Sequence, residues 1–166
     1  EGTHFEHEIL SKCRGMTPVG EDLIPTGAIA SVVGTPFDFL AQKSIGADIG
    51  KVENGYDHNF CVNRVGVAPG ELAHVMMVTE PTSGRTLSVK TTEPGCQLYC
   101  GGFLDGSNVG REGKPYPKFG GFCLETQHHP DSVNQPNFES IVLAPGGKYV
   151  SKTVYTFGTT GKRRRD

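Results

Sequence analysis

The feature that most constrains this chain is a series of short apolar runs separated by turn-forming residues. Proline fixes φ and glycine tolerates positive φ, and the sequence holds 23 Gly and 11 Pro, many of them in turn strings between the runs. The strand-like runs span residues 29–33, 59–63, 73–79, 86–91, 97–101, 121–126, 139–143 and 149–157. Helical periodicity is weak even in its best window, residues 37–50. We therefore predict an all-β protein, an antiparallel β-sandwich.

Two of these regions support more detailed predictions. Residues 76–79 and 86–90 flank the turn string 81–84, which predicts a β-hairpin. Aromatic and β-branched residues alternate along 149–157, and such faces favour packing inside a sheet protein. We therefore expect the 149–157 strand to belong to the core.

Charge and cysteine content exclude several classes of partner. The formal net charge is −2, and the basic run 162–165 is interpreted as part of a flexible tail, residues 158–166, after a single sandwich portion, residues 1–157. An address signal or an anionic contact is the alternative for that run, but we expect no nucleic-acid partner. No apolar run approaches the roughly 20 residues that cross a bilayer, and no secretory leader opens the chain. The 5 cysteines have no zinc-ligand spacing, which favours reduced thiols and a cytoplasmic location.

Three segments combine turns with polar side chains that suit a ligand. In the first, residues 54–60, an Asn-Gly turn precedes Asp57 and His58, with an aromatic residue on either side. Aromatic rings beside hydrogen-bonding groups suit a sugar, which offers apolar C–H faces and a ring of hydroxyls. A plain turn capped by Asp57 is the structural alternative.

The other two segments each place one polar residue in an apolar strand. Residues 93–99 form a turn that leads to Gln97, whose amide both donates and accepts hydrogen bonds, and a purely structural role is the alternative. Residues 120–127 place Glu125 in an apolar strand after a Gly-Gly pair. A carboxylate in apolar surroundings is poorly hydrated, which is unfavourable unless the group is paired or functional. Glu125 is therefore the candidate general base.

A histidine pair follows the third segment. The side chains available for a metal site are those of His128, His129 and Asp131, together with Asp57 and His58. No His-x-x-x-His or Cys/His spacing supports such a site. We predict no metal, and we interpret the His-His-Pro segment as a polar loop beside a cleft.

The three segments resemble the signature blocks of the aldose 1-epimerase (galactose mutarotase) family. The similar blocks are Gly-Tyr-Asp-His-Asn-Phe at residues 55–60, Pro-Gly-Cys-Gln-Leu-Tyr at residues 94–99 and Gly-Phe-Cys-Leu-Glu-Thr-Gln at residues 121–127. Further similar stretches are residues 23–27, 130–138 and 143–146. The chain therefore resembles the carboxy-terminal half of a family member, and the resemblance implies a mutarotase-like β-supersandwich present as a partial domain.

The resemblance also implies an activity. Members of the family interconvert the α and β anomers of free aldohexoses such as galactose and glucose, and they need no cofactor. By resemblance, Glu125 takes the proton of the C1 hydroxyl while an acid protonates the ring oxygen. Asp57, Gln97 and His58 are the expected ligands of the sugar hydroxyls. The candidates to pack on the apolar face of the sugar are Tyr56 and Phe103.

The family's catalytic acid has no counterpart in this chain. It is a histidine in an Asn-His-x-aromatic-aromatic-Asn block, which family members carry upstream, and His4 lacks both the flanking Asn and the second aromatic. The expected partners are thus a monosaccharide and either the missing amino-terminal half or a second copy of the chain. Two alternatives stay open: a non-catalytic carbohydrate-binding or interaction module derived from a mutarotase, and an epimerase of sugar phosphates, although no Arg or Lys cluster accompanies the blocks.

Overall fold

The computed structural model of the chain describes residues 3–161 and folds them into two antiparallel sheets. The strands in chain order are β1 (Glu8–Ser11), β2 (Gly15–Thr17), β3 (Ala30–Ser31), β4 (Lys43–Ser44), β5 (Asp57–Cys61), β6 (Ala73–Thr79), β7 (Arg85–Thr91), β8 (Gly95–Tyr99), β9 (Cys123–Gln127) and β10 (Thr153–Thr159). Sheet A has the order β10-β7-β6-β1-β4, and sheet B has the order β3-β2-β5-β8-β9. The predicted all-β antiparallel sandwich is confirmed.

Helical structure in residues 3–161 is limited to short 3₁₀ turns. These turns are His4–Glu6, Ile45–Ala47, Ile49–Lys51 and Arg111–Gly113. The weakly helical window at 37–50 thus contains only single turns, because it lacks the apolar stripe that stabilises a longer helix. Within the part of the chain that the structure describes, no helix has the length and apolar character to cross a membrane.

The core lies between the two sheets, because alternate residues of the strands point to the facing sheet. Sheet A buries Val75, Met76 and Val78 of β6, where a β-bulge between His74 and Met76 changes the register and lets the neighbouring Val75 and Met76 both be buried. Sheet B buries most of the apolar residues of β5, β8 and β9, and its other face carries most of their polar residues. That division leaves one polar face of sheet B free for a ligand.

The predicted hairpin between β6 and β7 is confirmed. Gly84 donates its N–H to the Glu80 carbonyl at 2.8 Å, and Gly84 has a φ of +71°. The Glu80 carboxylate accepts the backbone N–H groups of Thr82 and Ser83 at 2.8 and 2.6 Å. Hydrogen bonds from Ser83 and Thr82 lower the pKa of Glu80 to about 2. The turn string therefore closes through its own carboxylate as well as through its backbone.

One predicted strand is absent. Residues 139–143 form no strand, and Ile141, Val142 and Leu143 are exposed. A strand needs a neighbour for its backbone N–H and C=O groups, and none of the described strands pairs with this segment. Conversely, β1, β2 and β4 are only 4, 3 and 2 residues long, too short for their alternation to predict them.

The last strand differs from its predicted position in the core. β10 is an edge strand of sheet A within residues 3–161, and it pairs only with β7. Tyr155 is 44% exposed and Phe157 is 77% exposed, although the Tyr155 hydroxyl donates to the Leu124 carbonyl of β9 at 2.9 Å. The ladder continues to Thr159 opposite Arg85, so residues 158 and 159 belong to the sheet. The basic run 162–165 lies outside the described residues, and the tail stays a prediction there.

Candidate functional site

Three of the predicted site residues lie on one face of sheet B. The antiparallel register sets Asn59 of β5 beside Gln97 of β8, and Gln97 beside Glu125 of β9. Directly paired residues of neighbouring strands point to the same side of the sheet. Asp57 is two residues before Asn59, so period-2 alternation puts its carboxylate on that face too. The fold therefore brings Asp57, Gln97 and Glu125 together.

The Asp57 and Gln97 side chains are joined directly. Gln97 Nε2 donates a hydrogen bond to Asp57 Oδ1 over 2.7 Å. Both side chains are half-buried, so water competes less with this bond than at a free surface. The second carboxylate oxygen of Asp57 is left for another donor, such as a hydroxyl.

Glycines allow the loops to approach this face closely. Gly95 stands opposite Cys61 and Gln127 in the ladder, where a Cβ would clash with Asn59 Oδ1. A Cβ on Gly102 would clash with the carbonyl oxygen of Asn54, in the predicted Asn-Gly turn, where Asn54 and Gly55 both have positive φ. These glycines let the backbone pack against the site from two sides.

Two adjoining cavities form the candidate site. The larger, of about 580 Å³, lies between sheet B and the loops around residues 17–25 and 52–55. The smaller, of about 250 Å³, is lined by Asp57, Gln97, Tyr99, Glu125, Gln127 and Pro130. Asp57 and Gln97 line both. The pair thus stands between the larger cavity and the carboxylate of Glu125.

Glu125 does not have the poorly hydrated environment that its apolar neighbours in sequence predict. Its side chain is exposed, because β9 is the edge strand of sheet B among the described strands. Leu124 and Thr126, its neighbours in the chain, point to the opposite side of the sheet, so the apolar residue Leu124 does not surround the carboxylate. The expectation of low hydration is wrong for the chain as it stands, and the carboxylate is open to a ligand.

His58 occupies a different position from Asp57. It points to the core side of β5, where its ring lies 4.5 Å from the ring of Phe37. Its Nδ1 accepts the backbone N–H of Asp57 at 3.1 Å. Burial lowers the pKa of His58, although the Asp57 charge acts to raise it. His58 is nevertheless one of the residues that line the larger cavity.

Tyr56 is not brought to the site. Its side chain is fully buried, and its hydroxyl donates to the Pro36 carbonyl at 2.9 Å. Burial raises its pKa. Since Tyr56 has the same parity as Phe60, alternation turns both into the core, which corrects the expectation that Tyr56 packs on a sugar. Phe103, the other candidate, is 50% exposed and lines the larger cavity.

Sequence reasoning missed three polar residues on the same face. Asn59, Gln127 and His129 are hydrogen-bonded to one another or to Gln97. The signal for Asn59 and Gln127 was strand alternation. Asn59 is two residues after Asp57 and Gln127 is two residues after Glu125, so each points to the same side of the sheet as the predicted residue. The signal for His129 was only its place beside Pro130, in the loop already interpreted as flanking a cleft.

The histidine pair separates into two environments. His129 Nδ1 lies 3.0 Å from Asn59 Nδ2, whereas His128 Nδ1 lies 2.8 Å from Glu93 Oε2. Among residues 3–161, no group of three or more His, Cys, Asp and Glu side chains could hold a metal ion. His4 lies in the 3₁₀ turn before β1 and is buried against Phe5 and Phe122.

The comparison with known proteins identifies the family of this fold and site. A family model described as aldose 1-epimerase matches residues 2–156. The chain belongs to the aldose 1-epimerase family. It is 45% identical to a galactose mutarotase from Bos taurus over 154 residues, and this aligned region covers 92% of this chain and 44% of that protein. An aldose 1-epimerase from Escherichia coli is 37% identical over 147 residues, covering 84% and 41% of the two chains. The chain therefore spans less than half the length of these relatives.

A solved structure supports the fold. The GalM/aldose epimerase homologue from C. elegans superposes with a TM-score of 0.82 at 28% identity, covering 95% of this chain and 47% of that one. The sandwich described here is thus similar to one portion of a larger aldose epimerase homologue. The resemblance stated from the three sequence blocks is confirmed at the level of the family.

Proposed function

We propose that this chain binds a free aldohexose over the polar face of β5, β8 and β9 and supplies the general base of an aldose 1-epimerase. The observation that carries the proposal is the register that places Gln97 between Asp57 and Glu125. A few converging polar groups beside an aromatic side chain are what a sugar site requires, and Phe103 provides that side chain. Membership of the family supports the same assignment.

In the proposed reaction, Glu125 accepts the proton of the C1 hydroxyl while an acid gives a proton to the ring oxygen. The bond between C1 and the ring oxygen then breaks, and C1 becomes an aldehyde. Rotation about C1–C2 presents the other face of the aldehyde. On closure the attacking hydroxyl gives its proton back to the acid, and Glu125 gives its proton to the C1 oxygen, so both groups are regenerated and no cofactor is consumed. A well-placed acid or base contributes roughly 10²- to 10⁴-fold. We propose that the acid comes from polypeptide outside this chain, since His58 and His129 each use Nδ1 within the fold.

The charges around the site favour an uncharged sugar over a sugar phosphate. Among the described residues, the two cavities are lined by the acidic residues Glu21, Glu53, Asp57 and Glu125, and by no Lys or Arg. A phosphate needs cationic or backbone N–H donors. We therefore propose galactose or glucose as the substrate class and exclude sugar phosphates from the proposal.

We propose that a polypeptide equivalent to the remainder of its relatives' length packs on this chain. Apolar residues of the segments 139–143 and 149–157 are exposed, among them Val142 at 74% and Val150 at 71%. Exposed apolar patches mark interaction surfaces. The partner would also cover the side of Glu125 that now faces water. Sedimentation velocity of the purified chain tests this proposal, because a chain without its partner should self-associate, and a strictly monomeric, soluble chain would contradict it.

A non-catalytic carbohydrate-binding module is the second candidate. The exposure of Glu125 favours it, because an open carboxylate with no assigned acid can bind a hydroxyl without catalysing ring opening. Both candidates predict that galactose binds at Asp57 and Gln97. Only the first predicts a faster exchange of anomers.

Polarimetry of freshly dissolved α-galactose separates the two candidates. The epimerase proposal predicts that the chain accelerates the change in optical rotation above the buffer rate, and that Glu125→Gln removes the acceleration. Glu71→Gln is the matched control, since Glu71 lies outside both cavities. Binding of galactose without acceleration would support the module, and the absence of binding would contradict both.

We also propose a cytoplasmic location. All 5 cysteines are free, as expected in a reducing compartment. Burial raises the pKa of Cys13 and Cys61 to about 11 and that of Cys96 to about 12, which makes these thiols unreactive. Alkylation of the denatured, unreduced protein should therefore label five thiols, and a lower count would contradict the proposal.

A further inference from the structure

A chain of side-chain amides connects Asp57 to His129 across sheet B. Gln97 donates to Asp57 at 2.7 Å, and Gln127 Nε2 donates to Gln97 Oε1 at 3.3 Å and to Asn59 Oδ1 at 3.4 Å. Asn59 Nδ2 lies 3.3 Å from Thr17 Oγ1 and 3.0 Å from His129 Nδ1. We call the side chains of Asn59, Gln97 and Gln127 the amide chain. The links join residues of β5, β8 and β9 and of the loop after β9, and Gln127 of β9 reaches Asn59 of β5 across Gly95 of β8.

The amide chain can run in only one direction. An ionised carboxylate accepts hydrogen bonds but cannot donate them, so Gln97 must turn Nε2 towards Asp57 and its oxygen towards Gln127. Gln127 must then donate, and its NH₂ group also faces the oxygen of Asn59. Asn59 consequently turns its NH₂ group towards His129. The polarity at the Asp57 end thus fixes the orientation of each amide as far as His129.

The far end of the amide chain is held rigidly. Asn59 is 2% exposed, and the absence of a Cβ on Gly95 leaves the space for its oxygen. The His129 ring packs at 5.0 Å on Phe138, and its carbonyl accepts the Ser132 hydroxyl. Burial lowers the pKa of His129, which the neighbouring His128 also lowers and Glu139 raises. A neutral His129 can accept the Asn59 amide at Nδ1 and keep its proton on Nε2.

We propose that Asn59, Gln127 and His129 are positioning residues that orient the Gln97 amide and, through it, the Asp57 carboxylate for the sugar. This inference rests on the proposed function and deepens it. The three residues need not touch the sugar. Their role is to keep one Asp57 oxygen occupied by Gln97, so that the other is presented to a hydroxyl in a fixed direction, and preorganised groups bind more tightly than mobile ones.

The first test removes one donor from the amide chain. In Gln127→Met, Gln97 Oε1 loses its partner, and the Gln97 amide should become mobile. Side-chain ¹H–¹⁵N spectra report this directly, because a hydrogen bond to a carboxylate moves the shifts of the Nε2 protons away from those of a free glutamine. We expect those shifts to move towards the values of a free glutamine. Unchanged Gln97 signals in a folded Gln127→Met chain would overturn the proposal.

The matched control is Gln42→Met. Gln42 Nε2 donates to Glu8 Oε2 on an exposed part of the molecule next to sheet A, so the same substitution removes an equivalent bond away from the site. The Gln97 signals should stay unchanged in this variant. A shift of the Gln97 signals equal to that in Gln127→Met would show a general effect of lost amides and would overturn the proposal.

A second measurement needs no variant and so does not depend on whether a variant folds. Long-range ¹H–¹⁵N spectra of the unmodified chain at neutral pH distinguish the two tautomers of His129. The amide chain predicts a proton on Nε2 and an unprotonated Nδ1. A proton on Nδ1 would reverse the direction of the Asn59 amide and would overturn the proposal.

Galactose titration then separates this inference from the proposed function. The loss of one net hydrogen bond should make Gln127→Met bind galactose about three- to tenfold more weakly, and Gln42→Met should bind like the unmodified chain. Equal affinity of Gln127→Met and the unmodified chain would overturn the positioning role. If the unmodified chain does not bind galactose, the proposed function fails, while the Gln97 and His129 spectra still decide whether the amide chain is directional.

Discussion

The carboxylates of Glu93 and Glu125 have opposite environments, although Glu93 directly precedes one of the sequence blocks shared with the family and Glu125 lies in another. Glu93 is 4% exposed, and the Tyr149 hydroxyl donates to its Oε1 at 2.5 Å. Its Oε2 lies 2.8 Å from His128 Nδ1 without a well-aligned hydrogen bond. Glu125 is exposed beside a cavity. The difference teaches that Glu93 serves to hold the loops together, whereas Glu125 is available to a ligand.

The largest expected effect is on stability at the buried carboxylate. Glu93→Ala removes the buried carboxylate together with its hydrogen bond from Tyr149 and its contact with His128, so we expect it to lower the free energy of unfolding by about 2 kcal/mol. Glu125→Ala should change it by no more than about 0.5 kcal/mol. Urea denaturation of both variants measures the two values. Equal losses would remove the distinction between the two carboxylates.

The next effect is on sugar affinity at the open site. Asp57→Asn keeps the size of the side chain and its acceptor for Gln97, but it removes the charge that strengthens a bond to a sugar hydroxyl. We expect galactose to bind about tenfold more weakly, which corresponds to about 1.4 kcal/mol. Asp105→Asn, in an exposed loop outside both cavities, is the control in the same titration. An affinity unaffected by Asp57→Asn would take Asp57 out of the site.

A smaller effect concerns the partner of Glu93. Tyr149→Phe removes one hydrogen bond to the buried carboxylate and should lower the free energy of unfolding by about 1 kcal/mol. Tyr116→Phe is the control at a tyrosine of similar exposure, 52% against 58% for Tyr149, and it should have almost no effect. The thermal unfolding midpoints of the two variants make the comparison. If both midpoints equal that of the unmodified chain, the bond to Glu93 contributes nothing to stability.

The smallest effect is the contribution of the buried Glu93 carboxylate to the pH dependence of stability. Burial acts to raise the pKa of Glu93, but hydrogen bonds from Ser151 and Tyr149 and the adjacent His128 together lower it. The ionised form is therefore favoured in the folded state. Its stabilisation is fully present above the ordinary glutamate pKa of 4.5 and is lost as the pH falls through the lower, folded value. Urea midpoints measured from neutral to acidic pH should show this loss, and Glu93→Gln should reduce it.

Local sequence patterns predict much of the fold correctly. The wrong predictions concern segments whose structure depends on strands that are distant in the sequence. The 73–79 run coincides with β6 because its alternation and its Pro-Gly turn are both local. The exposure of β10, and the absence of a strand at 139–143, depend instead on which strands lie next to them. No window of the sequence contains that information.

The candidate site divides in the same way. Asp57, Gln97 and Glu125 were predicted because each stands in a distinctive local block, and the ladder between β5, β8 and β9 brings them together. The exclusion of Tyr56 was available from alternation, since it shares parity with the core residue Phe60. The exposure of Glu125 could not be predicted from alternation, because it follows from the edge position of β9.

The most direct test of the account is a galactose titration of the unmodified chain followed by backbone and side-chain ¹H–¹⁵N spectra. The same titration with 1,5-anhydrogalactitol, which lacks the anomeric hydroxyl, shows which part of the sugar meets Glu125. We predict that galactose shifts the signals of Asp57, Gln97 and Glu125, and that the anhydro sugar binds more weakly and leaves Glu125 least affected. Shifts centred on Glu93 and Tyr149, or identical responses to the two sugars, would contradict the central claim that Glu125 faces the anomeric hydroxyl.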